Sequence, residues 1–227
     1  MPVHILRADS IIKNYGKRTL LRDCQLSCKT GEVVGLLGRN GCGKSTLLKI
    51  IFGTCDALNR YVSIDEEALP TPYATGKNLA YLPQEGFLPT NITVGEIIDV
   101  YLEDISAANQ VKAHPRVAPH LELRRDELSG GTLRILEILL VIHLDVKFVL
   151  LDEPFNGVEP IYVDEIIGLL ESYRDNKGFI ITDHNYMDII RASDKIILLS
   201  DGICRSIKDT SELEKYDYVP LGTFDQP

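Results

Sequence analysis

No stretch of this chain approaches the ~20 consecutive apolar residues that a membrane-spanning helix needs. The greasiest run, Ile135 to Leu144, is interrupted by Glu137 and His143. A basic excess is missing too: 24 Lys and Arg face 33 Asp and Glu, a net charge of −9. That balance excludes a general attraction for nucleic acid or anionic lipid, so any polyanion must be held by a local site. The five cysteines (Cys24, Cys28, Cys42, Cys55 and Cys204) are odd in number, and 227 residues need no disulfide staple. Reduced thiols are expected. Cys24 and Cys28 fall on one face of an alternating strand with no second Cys/His pair after them, which argues against zinc. Residues Met1 to Asp9 carry an acidic residue early and no signal-peptide core, so a cytoplasmic location is expected.

What is present is an ordinary globular composition, 44% hydrophobic and 25% charged. Short apolar runs alternate with helical patterns, the mark of a mixed α/β domain. Residues 3–8 and 19–28 read as strands joined by a turn at Asn14-Tyr15-Gly16-Lys17. Val33 to Leu37 and Phe148 to Leu151 are wholly apolar, as expected of strands buried on both faces. Further strands are expected at Tyr61–Ile64, Asn78–Leu82, Phe179–Thr182 and Lys195–Leu199. Helices are expected from Lys44 to Phe52, from Thr93 to about Leu102, from near Ser129 to about Ile142, and from Pro160. Thr93-Val94-Gly95-Glu96 is a capping-box pattern. Pro115 and Pro119 break the stretch between, and an irregular tail is expected from Glu214.

Gly38-Arg39-Asn40-Gly41-Cys42-Gly43-Lys44-Ser45 fits G-x-x-x-x-G-K-[ST] between a buried strand and a helix. The glycines let successive N–H groups curl toward phosphate oxygens, and the helix N-terminus adds its dipole. Lys44 brings a point charge to the outer phosphates, and Ser45 can ligate Mg²⁺. Asn40, Cys42 and Thr46 complete the expected cradle. The strand Phe148–Leu151 ends in Asp152-Glu153. At the carboxyl edge of a parallel sheet Asp152 can hold Mg²⁺, and Glu153 can reach an attacking water. Together these motifs indicate a nucleoside-triphosphate hydrolase.

Leu128-Ser129-Gly130-Gly131 opens a helix between those two motifs. That order resembles the ATP-binding cassette (ABC) ATPases from about residue 3 to 210. The resemblance implies a P-loop NTPase core with a mainly parallel sheet, an N-terminal antiparallel β subdomain and a helical subdomain at about 85–145, in one domain spanning 1–227. It implies that Tyr15 stacks on adenine, that Gln84 senses Mg²⁺ and the attacking water, and that His184 contacts the γ-phosphate. It also implies that Ser129, Gly130 and Gly131 meet the γ-phosphate held by a second copy or a related ATPase, the two chains lying head-to-tail with ATP between them. Asn156-Gly157-Val158-Glu159 occupies the loop that crosses between subunits. Three features depart from the family pattern: Thr132 stands where Gln or Glu is usual, Glu159 stands where Asp is usual, and Leu139-Leu140-Val141-Ile142 replaces the usual small-and-basic run.

The expected role is the motor subunit of an ABC membrane transporter, held on the cytoplasmic face by an integral membrane partner that Phe87, Leu88 and the helix from Thr93 would meet. Asp152-Glu153-Pro154-Phe155, Gly157-Val158 and Thr182-Asp183-His184-Asn185 look most like ATPases of lipopolysaccharide export and branched-chain amino-acid uptake. A non-transport ABC ATPase, for example of iron–sulfur assembly, is the alternative. No Asn-Lys-x-Asp guanine reader is present, which argues against a GTPase.

Overall fold

The structure, a computed structural model, describes residues 2–75 and 77–224. Its centre is a six-stranded sheet in the order β10-β9-β3-β8-β7-β6. Five of its strands are mutually parallel: β3 (Val33–Leu37), β6 (Leu79–Leu82), β7 (Phe148–Asp152), β8 (Gly178–Thr182) and β9 (Lys195–Ser200). The sixth, β10 (Ile203–Ile207), closes one edge antiparallel to β9. A second, antiparallel sheet has the order β2-β1-β4-β5, from β1 (Ile5–Tyr15), β2 (Arg18–Lys29), β4 (Asn59–Ile64) and β5 (Glu67–Ala68).

Side-chain alternation divides the interior in two. Val34, Leu36, Leu150, Ile180, Ile197 and Leu199 face the antiparallel sheet and α1 (Lys44–Phe52), which buries Leu47, Leu48, Ile50 and Ile51 there. The neighbouring residues Val33, Leu37, Val149, Leu151, Phe179, Ile181 and Leu198 face the remaining helices. Because both faces are covered, β3, β7 and β8 are buried along their whole length, which is why they read as unbroken apolar runs. The helices of the second layer include α2 (Val94–Tyr101), α3 (Ile105–Ala113), α4 (Gly130–His143), α5 (Pro160–Tyr173) and α6 (Tyr186–Ala192). The capping box at α2 is complete: Thr93 accepts from the Glu96 N–H, and Glu96 accepts from the Thr93 N–H. In α4 every residue from Arg134 to Ile142 is buried.

Several features differ from the expectations. The hairpin strands are longer, and their register shifts at bulges near Ser10 and Asp23, both with positive φ, which breaks the alternation a sequence pattern follows. Helix α3 forms where only a broken stretch was expected; it ends at Ala113, before either proline, and Asp104 caps it. Strand β10 and helix α6 were not expected. Beyond a helical turn, α7 (Glu212–Lys215), the described chain has no helix or strand, but it is tied down: Val219 is buried, and the Glu214 carboxylate accepts the N–H groups of Gly222 and Phe224.

Candidate active site

The loops that leave the carboxyl ends of β3, β6, β7 and β8 all open on one edge of the parallel sheet, where α/β proteins of this kind bind ligands. They deliver, in that order, the glycine loop, Gln84, Asp152-Glu153 and Asp183-His184. Between them lies a cavity of about 530 Å³ lined by Leu20, Asn40, Gly41, Gly43, Lys44, Ser45, Thr46, Gln84, Glu153, Asn156 and His184. That volume suits a small-molecule ligand.

Gly43 caps α1 at φ 113°, a left-handed conformation, and a Cβ there would come within 3.1 Å of the Leu20 side chain. The backbone conformation favours glycine, and any side chain would also have to push Leu20 aside by a few tenths of an ångström. Lys44 is almost wholly buried, and its ammonium donates to the Gly38 carbonyl at 2.7 Å, so the charge is folded into the loop. The Ser45 hydroxyl donates to Asp152 Oδ1 at 2.9 Å. Asp152 is buried, and its other oxygen accepts from the Tyr81 hydroxyl at 2.8 Å. Burial, and then the Asp152 charge, push the Tyr81 phenol well above its ordinary range, so it remains a proton donor.

Glu153 adopts φ 53°, a left-handed conformation rare for a residue with a side chain. Its Oε2 accepts from Gln84 Nε2 at 2.9 Å and from Asn156 Nδ2 at 3.0 Å. His184 is half exposed, and its Nδ1 lies 3.1 Å from buried Asp183 Oδ1. A proton on Nδ1 would satisfy that carboxylate and leave Nε2 as the free nitrogen. Asp183 is itself fixed by the N–H groups of Phe155, His184 and Asn185.

The remaining expected site residues are placed differently. Tyr15 stands exposed at the end of the hairpin with Lys13 Nζ 4.8 Å from its ring centre, and it does not line the cavity. Cys42 is half-buried and faces a neighbouring cavity of about 730 Å³. Ser129, Gly130 and Gly131 are absent from the lining of the Lys44 cavity. Ser129 is exposed and caps α4: its Oγ accepts the Thr132 N–H at 3.2 Å and donates to Thr132 Oγ1 at 2.9 Å. Gly131 is buried so closely against Tyr162 that a Cβ would lie 2.4 Å from its ring. Of the two residues expected to meet a partner, Leu88 lies in the core and Phe87 packs edge-on against Tyr101, half-buried. The exposed apolar side chains nearby are Val100 and Ile105 instead. Cys24 and Cys28 are both buried on β2, where their thiols donate to the Gly202 and Phe179 carbonyls.

One residue carried no site role in the amino-acid sequence and is found directly behind the cavity wall. Arg134, buried in α4, donates to the carbonyls of Pro83, Asp152, Glu153 and Pro154, and to Glu137 Oε2. The available signal was an Arg and a Glu three apart in an otherwise apolar helix, a spacing that pairs them.

A family model described as ABC transporter matches residues 21–156. The chain belongs to the ABC transporter family. Within it, this ABC protein is 34% identical over 210 residues to the lipopolysaccharide export system ATP-binding protein LptB of Escherichia coli (strain K12), covering 87% of each chain. It is 33% identical over 210 residues to LptB of Acidithiobacillus ferridurans, again covering 87% of each. Among solved structures, a nucleotide-free ATP-binding cassette from an ABC transporter superposes with a TM-score of 0.80 at 21% identity, over 96% of both chains. Another, the ATP-binding subunit of an ABC transporter, gives 0.81 at 20% identity, over 94% of this chain and 93% of that one. The fold is thus that of a P-loop ATPase with an added antiparallel sheet. The ABC protein is an ATP-binding and ATP-hydrolysing subunit, the motor of a membrane transporter. Among the described residues no helix is long and apolar enough to cross a membrane.

Proposed function

We propose that the whole chain is one ATP-binding domain, and that it hydrolyses ATP only when two copies, or this chain and a related one, close head-to-tail around two nucleotides. The observation that carries this reading is the separation of its parts. Lys44, Ser45, Gln84, Glu153 and His184 surround one cavity, whereas Ser129 and Gly130 are exposed outside its lining. A second molecule's Ser129 and the N-terminus of its α4 would supply the missing side of the γ-phosphate site.

In that site the glycine loop and Lys44 hold the triphosphate, Gln84 and Glu153 place the water, and Glu153 takes its proton. His184 Nε2 contacts the γ-phosphate. Tyr15 offers its exposed ring to adenine. The hydroxyl of Ser45, the carboxylate of Asp152 and the amide oxygen of Gln84 are the hard oxygen donors that suit Mg²⁺. When bound there, Mg²⁺ supplies charge neutralisation on the phosphate oxygens. Tyr81 would then orient Asp152 from behind. Tyr81→Phe is expected to raise the Mg²⁺ concentration for half-maximal ATPase activity by about 10-fold or more, as loss of such orienting contacts does; an unchanged titration would remove Tyr81 from this role.

The membrane partner would dock beside α2, whose exposed Val100 stands near exposed Ile105 of α3, and would hold this subunit at the cytoplasmic face. The two LptB relatives favour a cargo of the lipopolysaccharide class.

Subunit complementation tests the shared site. Lys44→Ala and Ser129→Arg chains are each expected to be inactive alone. Mixed and allowed to exchange, they form dimers in which one site carries both lesions and the other carries neither. Activity is expected to return to roughly a quarter of the native rate for random pairing. A mixture as inactive as its components would sink the shared-site reading.

A further inference from the structure

We infer that Arg134 is a positioning residue for hydrolysis: its guanidinium sets the backbone that presents Glu153 and Gln84, and fastens that backbone to the helix that begins at Ser129. The inference rests on the reading of Glu153 as the base.

A guanidinium has five N–H donors in a rigid fork. Here each has an acceptor. Nε donates to the Pro154 carbonyl at 3.4 Å; Nη1 to the Pro83 carbonyl at 3.2 Å and Glu137 Oε2 at 3.0 Å; Nη2 to the carbonyls of Asp152 at 2.8 Å and Glu153 at 3.0 Å. Four of the five acceptors are backbone carbonyls, and they come from two loops. Pro83 immediately precedes Gln84, and Asp152 to Pro154 surround the carboxylate. The side-chain bond between Gln84 Nε2 and Glu153 Oε2 therefore has a backbone clamp beneath it.

The clamp bears on a conformation that needs holding. A left-handed glutamate persists only where its surroundings over-determine it. The Glu153 N–H is taken by the Thr182 carbonyl at 2.7 Å, and its carbonyl by Arg134. Removing the guanidinium would leave that carbonyl only the Asn156 N–H at 3.2 Å, and with the Asp152 and Pro154 carbonyls also released the peptide could rotate and swing the carboxylate away from the water.

Glu137 completes the arrangement. Its Oε2 balances the buried Arg134 charge, while its Oε1 is buried without a hydrogen-bond partner. A Cβ built on Gly86 would approach Oε1 at 3.1 Å, so the idle oxygen faces the loop that follows Gln84. Arg134 also lies five residues into the chain from Ser129, in the first turns of α4. Displacement of the Ser129 end of α4 is thereby felt at Glu153 through one side chain.

The test is a kinetic cycle on the full chain. Arg134→Lys keeps the charge beside Glu137 but offers three donors from a single point, and cannot span two loops. Its kcat for ATP is expected to fall about 10²-fold, the effect of a misplacement of about 1 Å, with KM and calorimetric ATP affinity unchanged. Should the lysine variant fold poorly, the neutral pair Arg134→Gln with Glu137→Gln leaves no buried charge unpaired and is expected to show the same split. In the Glu153→Gln background, Arg134→Lys is expected to cost little further turnover, because its effect runs through Glu153. An unchanged kcat, a parallel loss of ATP affinity, or a full multiplication of the two losses would overturn the inference. Native turnover in Glu153→Gln alone would instead overturn the reading of Glu153 as base.

Discussion

Glu153→Gln is expected to lower ATP turnover by about 10²–10⁴-fold, the range a positioned general base supplies, while ATP binding survives. The substitution is nearly isosteric. The Oε2 position that accepts from Gln84 and Asn156 can be kept by the amide oxygen, so the local bonds need not break. What disappears is the capacity to take a proton from water at the mouth of the cavity. With hydrolysis blocked and the triphosphate retained, the closed state should accumulate. A sedimentation run with Mg²⁺ and ATP is expected to show the variant at twice the monomer mass, the native chain shifting back as ATP is consumed. A variant that turns over at the native rate, or stays monomeric with ATP bound, would count against both halves of the mechanism.

The second large effect is expected on binding. Lys44 keeps its ammonium inside the glycine loop, donating to the Gly38 carbonyl, and almost none of the side chain is exposed. The charge is thus held within reach of an arriving triphosphate, and the carbonyl is exchanged for phosphate oxygens on binding. Lys44→Ala removes the cation from the lysine–phosphate pair that forms when the triphosphate binds, a loss of about 2–5 kcal/mol, or roughly 30- to 5,000-fold in affinity. Thermal unfolding separates this from simple damage. At 100 times the dissociation constant ATP adds about 2.7 kcal/mol to the native chain, and the variant should gain about 0.9 kcal/mol or less at the same ATP concentration. An ATP-induced shift equal to the native one would remove Lys44 from the phosphate site.

The parts visible in the amino-acid sequence were those encoded locally. The glycine loop, α1, the Thr93 capping box and the apolar strands β3, β7 and β8 each follow from residues within one short window. Helix α3 did not show itself because its stripe is thin: only Ala108 and Val111 are buried among its nine residues. Strand β10 is five residues long and buries only Ile207 fully, too little alternation to read. Long-range hydrogen bonds were invisible for a different reason. Tyr81 meets Asp152 across 71 residues, and Arg134 meets Pro83 across 51, so no window contains both partners. Burial of Leu88 was hidden because an apolar residue after Gln84 serves a core or a surface equally well.

The small knot at the start of α4 has a thermodynamic corollary. Ser129 is not an idle hydroxyl awaiting an anion: its proton already serves Thr132 Oγ1, and its lone pair already receives the Thr132 amide. An incoming phosphate oxygen would compete only for the proton, because the amide bond that starts the helix can persist. Closure would then begin as a swap of neutral for charge-assisted hydrogen bonding, with about 1 kcal/mol surrendered at the outset. Each half of such an assembly would idle slightly open, and its threonine would act as a rheostat on how readily it shuts.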